Sequence, residues 1–207
     1  MEPVELTDGV VRLSVPTAAH VDAITVACQD PQIQAWTTVP SPYEREHAEG
    51  FVQGWGVRGW AEDRHATWGI WETGVLRGMV GLAMHPPGSA EIGYWMAPEG
   101  RGRGVLHRAV LLVLGWAFDD PCGPRLEQVE WHAFAGNWPS WRVAWRVGFR
   151  FEAAVRLGAD QRGERRGDWG ATLLRDDPRE PVAPWPATAI AAPTPPDGPV
   201  HAVPDRA

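Results

Sequence analysis

Apolar and polar positions along this chain follow two periods, and the switching between them predicts a mixed α/β domain rather than a helical bundle or a β-sandwich. Val10 to Val15 alternates with period two and reads as a strand stopped by Pro16. Thr17 is placed to cap a helix through Val26, and a second helix is predicted from about Arg45 to Trp60. His65 to Trp71 and Val75 to Met84 flank Glu72-Thr73-Gly74, a hairpin pattern with glycine at its turn. After the Pro86-Pro87-Gly88 breaker, Ala90 to Met96 supplies a third strand, so these segments form a meander. Val105 to Phe118 is almost wholly apolar and long enough for a helix packed on a sheet. Leu126 to Phe134 reads as a strand and Asn137 to about Val147 as a helix, with Gly148 as the left-handed residue past its end. Phe149 to Arg156 and Asp168 to Leu174 are predicted to close the domain on either side of a polar loop, Gly158 to Gly167.

Composition divides the chain. From about Asp177 onward prolines recur among alanines and threonines, and proline both fixes φ and removes a backbone donor. A folded domain over residues 1–176 and a solvated tail over 177–207 are therefore expected. With 44% hydrophobic residues in 207, the first part has enough apolar surface for one sizeable core. The formal net charge of -7 excludes a global electrostatic attraction to nucleic acid or an anionic membrane, so neither partner is expected. No apolar stretch is long enough to span a bilayer, and Met1 to Asp8 lacks the basic flank and apolar core of a signal peptide. Cys28 and Cys122 show neither metal spacing nor a disulfide framework, which makes the cytoplasm the expected compartment. The histidines, among them His65, His107 and His132, show no metal spacing either, so no metal is expected.

All 19 basic residues are Arg, which excludes a Schiff-base lysine and a lysine-bearing phosphate loop. A bound polyphosphate would have to rest on Arg and backbone amides. Tyr94 to Val105 has that character: a strand, a sharp turn, Arg101-Gly102-Arg103-Gly104, then a helix. Glycine allows close backbone approach, and amides at a helix start are complementary to phosphate oxygens. The glycine spacing does not fit a dinucleotide fingerprint. The alternative is a helix start carrying incidental surface arginines.

Arg101-Gly102-Arg103-Gly104-Val105-Leu106 resembles the coenzyme A signature of the GNAT superfamily, Gln/Arg-x-x-Gly-x-Gly/Ala, at its first and fourth positions. Leu106 departs at the sixth, where a small residue is usual. Asn137-Trp138-Pro139-Ser140 with Val147-Gly148-Phe149 is similar to the Asn-x-x-Ser and Gly-Phe pairing of the RimJ/RimL type, the ribosomal-protein N-terminal acetyltransferases. Together with Glu91-Ile92-Gly93-Tyr94-Trp95 and the closing hairpin, the resemblance spans most of residues 5–176. It implies a GNAT fold, a mixed and mostly antiparallel sheet splayed at the cofactor site and flanked by helices. It implies acetyl-CoA as cosubstrate and transfer of its acetyl group to a protein N-terminus or a small amine. A non-catalytic acyl-CoA-binding module is the alternative, and a homodimer is left open.

The same resemblance implies roles at the site. Backbone groups near Trp95 and Met96 would bind pantetheine, with a bulge at Gly93; the turn Arg101 to Leu106 would hold the pyrophosphate. Asn137, the only asparagine, would contact the pantetheine or acetyl end, although a helix N-cap is also sufficient reason for it. Glu91 is either the base that takes the amine proton or a carboxylate at a sheet edge. Many family members protonate the leaving thiolate with a tyrosine on the helix after the asparagine; Tyr43 and Tyr94 both lie outside that helix, so Ser140 is the candidate acid. RimL-type sequences often carry a glutamate shortly after Gly-Phe, and Gly148-Phe149-Arg150-Phe151-Glu152 looks similar, although Glu152 is read as a solvent-facing strand residue. Most of the 13 tryptophans are expected in the core or at a dimer contact, with Trp36, Trp55 and Trp60 near the acceptor side.

Overall fold

The computed structural model describes residues 1–85 and 87–185. In chain order it contains β1 (Leu6–Thr7), β2 (Val11–Ser14), α1 (Val21–Ala27), α2 (Pro31–Trp36), α3 (Arg45–Phe51) and α4 (Gly59–Ala61). Then follow β3 (His65–Glu72), β4 (Val75–His85), β5 (Ser89–Met96), α5 (Val105–Phe118), β6 (Gln128–Phe134), α6 (Trp138–Arg146), β7 (Arg150–Gln161) and β8 (Glu164–Leu174). The eight strands form one sheet in the order β1-β2-β3-β4-β5-β6-β8-β7. Every neighbouring pair is antiparallel except β5 and β6, which are parallel and joined through α5.

Alternation along the strands sorts the sheet into two faces. Trp68 and Ile70 of β3, Val80 and Leu82 of β4, Ala90 and Ile92 of β5, Val129 and Trp131 of β6, and Ala171 and Leu173 of β8 belong to one buried cluster. Ala109, Val110, Val113 and Leu114 of α5 and Trp141 and Ala144 of α6 fill the same cluster, so both helices cover that face. Trp60, Trp68 and Trp116 pack edge to face or tilted there, with ring centroids 5.0 to 5.6 Å apart. The other face carries a second, smaller cluster built by α1, α2, α3 and the residue after it from Val21, Ile24, Ile33, Ala48 and Val52, on which Leu76 and Trp95 rest.

The predicted meander, the long apolar helix and the helix ending at Gly148, whose φ is 98°, are all present. The second predicted helix runs through a π-helical stretch, Val52–Arg58, before α4. Two elements went unpredicted: the two-residue β1, and α2, whose N-cap Asp30 accepts a hydrogen bond from the Ile33 amide at 2.9 Å while Pro31 occupies the first helical position. The expected loop from Gly158 to Gly167 is instead the end of one strand and the start of the next. Arg162 and Gly163, at φ 53° and 87°, make the two-residue turn of a long hairpin.

The first residues past the expected boundary at 176 pack on the domain. Asp177 pairs with Arg150 at 2.6 Å, the Arg179 guanidinium lies 4.5 Å from the Phe118 ring centroid, and Trp185 packs edge-on against Trp138 and Trp145. Residues 186–207, the rest of the expected tail, lie outside the described residues. No helix among the described residues is long and apolar enough to cross a membrane.

Candidate active site

The sheet is split at one place. β5 and β6 pair only from Ser89 with Gln128 to Ile92 with Trp131. Past that rung Gly93–Met96 and His132–Phe134 have no partner across the gap, although β5 stays paired to β4 as far as Met96 and β6 to β8 as far as Phe134. The bulge expected at Gly93 is absent, because the β4–β5 register runs unbroken through Gly81 and Gly93. The strands diverge because the start of α6 bridges them. The Tyr94 hydroxyl on β5 donates to the Ser140 carbonyl at 3.0 Å, and the Trp131 indole N–H on β6 donates to Ser140 Oγ at 3.1 Å.

Ser140 Oγ also lies 3.3 Å from the Tyr94 hydroxyl, to which it donates. The two hydroxyls and the indole thus form one connected set across the top of the split. Tyr94, which the sequence placed outside the helix after Asn137, is brought to Ser140 from 46 residues away. Burial pushes its phenol well above the ordinary value, against the hydrogen bonds from Ser140 and Trp131, so it stays protonated. Asn137 is buried and caps α6, its side-chain oxygen accepting from the Ser140 amide at 3.3 Å.

At the other end of the split lies the Arg/Gly turn. Gly102 and Gly104 take φ of 72° and 77°, and a Cβ at either would meet nothing within 4 Å, so the turn is an open cradle that only glycine fits without strain. Gly104 is the N-cap of α5, and the first amides of that helix have no intrahelical acceptor. Val105 is buried and Leu106 packs against the core, so the bulky sixth residue of the signature is accommodated below the turn while its amide stays at the helix start. The turn therefore fits a polyphosphate.

Its two arginines are already engaged. Arg101 Nη2 lies 2.5 Å from Asp30, the α2 cap, and its Nε donates to the Met96 carbonyl at 3.1 Å. Arg103 lies 3.0 Å from Glu72, which Arg77 also contacts at 3.2 Å. An anion at the turn shares these guanidinium groups with carboxylates, and the Met96 carbonyl, expected to be free, is partly used. From the turn a groove of about 820 Å³ runs outward along α5 past Asp8, Arg103, His107 and Arg108.

The face opposite α5 presents different side chains beside the split. Glu91 lies in register between Ala83 of β4 and Glu130 of β6, half-buried, and makes no hydrogen bond or ion pair with the described residues. His132 Nδ1 lies 2.9 Å from Asp168 Oδ2, and Glu152, exposed, accepts from the Thr172 hydroxyl at 2.7 Å. The tip of the β7–β8 hairpin crosses to α2. Gln161 donates to the carbonyls of Gln34, Ala35 and Thr37, and Arg162 to that of Val39 at 2.8 Å. The Arg166 guanidinium lies 5.3 Å from the centre of Trp36 and 4.7 Å from that of Phe134. Of the tryptophans assigned to the acceptor side, Trp36 is thus at this roof, Trp55 is exposed and stacks on His65 at 3.8 Å, and Trp60 is core.

An open, mostly antiparallel sheet flanked by helices and split at its one parallel pair is the architecture of GNAT proteins. The chain belongs to the acetyltransferase (GNAT) domain family, whose match covers residues 11–150. It is similar to the Bacillus subtilis protein YdaF, named for ribosomal N-acetyltransferase activity, with 35% identity over 92 residues. That match takes in 44% of this chain, and the chain spans about half the length of the relative, 49%. Among solved structures it superposes on a Salmonella typhimurium acetyltransferase described as modifying the N-terminal serine of ribosomal protein L7/L12. The TM-score is 0.73 at 17% identity, over 81% of this chain and 96% of that one. Mycobacterium smegmatis RimJ, solved with a coenzyme A disulfide, matches with a TM-score of 0.71 at 20% identity, over 84% and 86% of the two chains. At these identities the structural likenesses speak for the fold alone.

Proposed function

We propose that the chain transfers the acetyl group of acetyl-CoA to a primary amine, a protein N-terminus or a small-molecule amine, by direct attack in a ternary complex. The observation that carries this reading is the split of β5 from β6 past Ile92, with the glycine cradle at its outer end and a half-buried hydroxyl pair at its inner end. The pyrophosphate would sit on the amides of Gly102 to Leu106, between Arg101 and Arg103, and the nucleotide end in the groove along α5. Pantetheine would lie against the unpaired backbone of Gly93 to Met96, beside Asn137. The acyl carbonyl would then stand in the gap, where an unpaired backbone amide can polarise it.

The sulfur would leave on the side of Tyr94 and Ser140. A tyrosine held neutral by burial is a better proton donor to a thiolate than a serine hydroxyl, so the role first assigned to Ser140 passes to the pair, with Ser140 orienting the phenol. The amine would enter from the opposite face, where Glu91 and Glu130 set a negative field. The likeness to ribosomal-protein acetyltransferases makes N-terminal peptides the first acceptors to try.

The test is incubation of the full chain with acetyl-CoA and a panel of N-terminal peptides, polyamines and aminoglycosides, reading free coenzyme A and acetylated product by mass. Equal amounts of both are expected. Calorimetric binding of acetyl-CoA with no product from any amine would favour the non-catalytic module, and no binding at all would overturn the site.

A further inference from the structure

Continuing the β5–β6 register one residue past Ile92 and Trp131 sets His132 opposite Gly93, the first pair that does not form. Val129 and Trp131 point into the core, so His132 points to the opposite face, the one from which the amine arrives. Its imidazole is 42% exposed, whereas the Asp168 carboxylate bonded to its Nδ1 is 16% exposed. Across the ladder, Gly170 of β8 pairs with His132, and a Cβ there would lie 3.4 Å from His132 Cε1; the ring rests over a residue with no side chain. Gly93 is equally bare, with nothing within 4 Å of where its Cβ would be. A histidine whose Nδ1–H is held by a carboxylate carries its lone pair on Nε2, the arrangement of an oriented general base.

We propose that His132, oriented by Asp168, takes the proton from the acceptor amine. This rests on the acetyl-transfer reading above. Glu91, the carboxylate first assigned that role, is two rungs further back, in a ladder still closed on both sides by Ala83 and Glu130. The charged groups around His132 are Glu130 on its own strand, Asp168 and Arg166 on β8, Glu91 on β5 and Glu152 on β7. α2, whose Trp36 shares Arg166 with Phe134, contributes none. Asp168 would stay in contact with the imidazolium that forms during transfer, through the Nδ1 bond it already makes.

The step balances without a further reactant. The amine lone pair adds to the thioester carbonyl carbon, its proton passes to His132 Nε2, and the C–S bond breaks with the electron pair leaving on sulfur. The thiolate takes a proton from the Tyr94–Ser140 pair. That pair is reprotonated from solvent and His132 returns its proton there, so the products are an N-acetyl amine and the coenzyme A thiol.

The experiment compares wild type with His132→Gln, Asp168→Asn and Glu91→Gln, in turnover of acetyl-CoA with the best amine of the panel. His132→Gln is expected to lower kcat by about 10²- to 10⁴-fold, with KM for acetyl-CoA and melting temperature unchanged. It should also remove the fall in kcat/KM toward acid pH. Asp168→Asn should cost less, and Glu91→Gln should keep the acid limb. A His132→Gln enzyme that retains kcat within about twofold overturns the proposal, as does an acid limb lost in Glu91→Gln and kept in His132→Gln. A wild type that acetylates no amine would sink the transfer reading instead. The dyad is then read from the ¹⁵N spectrum of the imidazole above its titration: an Nδ1–H tautomer is expected, and an Nε2–H tautomer rejects it.

Discussion

The two halves of the β5–β6 pair are made of similar residues and do different work. From Ser89 to Ile92 the strands share a ladder, their backbone groups satisfy each other, and Ala90, Ile92, Val129 and Trp131 are almost completely buried. From Gly93 to Met96 the same strand keeps its β4 partner and loses β6; Tyr94 is bonded to α6, Trp95 and Met96 pack on the two clusters, and Gly93 faces open space. A buried backbone group without a partner is costly, so the open half persists only because α6 holds it apart and, on the proposed reading, because a ligand supplies the missing bonds. The closed half should therefore govern stability and the open half chemistry. Ile92→Ala, at 1% exposure, is the largest expected disturbance: a loss of about 2–5 kcal/mol in chemical denaturation. Folded protein at low temperature should still bind acetyl-CoA. A loss below 1 kcal/mol, on the order of a surface change, would mean that the closed half is not what anchors the sheet.

Ser140→Ala sharpens the comparison at the junction. It removes the acceptor of the Trp131 indole, whose residue is 1% exposed, and the donor to Tyr94. A buried donor left without a partner costs about 1–3 kcal/mol, so a fall of that size in unfolding free energy is expected, with a smaller drop in kcat than His132→Gln gives. Unchanged stability with lost turnover would assign Ser140 to the chemistry alone. α6 is in turn buttressed from outside the split, since Trp185 packs against Trp138 and Trp145, and the Trp145 indole donates to the Ala183 carbonyl at 2.8 Å. A chain ending at Arg179 loses these contacts and should be less stable by about 1–2 kcal/mol in denaturant titration. No change would return this segment to the solvated tail that its prolines predict.

Local pattern made most of the closed half legible. The meander from His65 to Met96 is marked by alternation and by glycine at its turn, and the Arg101 to Leu106 cradle by glycines that only a left-handed backbone needs. α2 was missed because its six residues bury only Ile33, so its periodicity is too short to register; the Asp30-Pro31 start was the available signal. The β7–β8 hairpin was cut short because Gly158 to Gly167 is almost wholly polar or glycine, so no alternation of apolar and polar positions marks its last rungs as strand. The open half was legible only in part. Tyr94 meets Ser140 and His132 meets Asp168 across 46 and 36 residues, and no local period encodes such meetings. His132 was weighed only as a metal ligand; its strand position two residues past Glu130 was the signal to ask which face it shares.

Gly93 is the position at which the two halves can be separated with the least disturbance. Its φ is not in the left-handed region, a Cβ there meets nothing within 4 Å, and its partner Gly81 keeps the β4 ladder intact. Gly93→Val adds a β-branched residue to a strand, which favours the strand conformation, so stability should change by no more than about 0.5 kcal/mol in either direction. The new side chain would stand on the face shared with His132, in the space the acceptor amine must cross. Acetyl-CoA affinity, which on the proposed reading rests on the cradle and on backbone groups that this side-chain change leaves in place, should stay close to wild type by calorimetry. The KM for the amine should rise and kcat fall. Equal losses in acetyl-CoA and amine binding would mean that the acyl end, not the acceptor, occupies this face, and the direction of approach would have to be reversed.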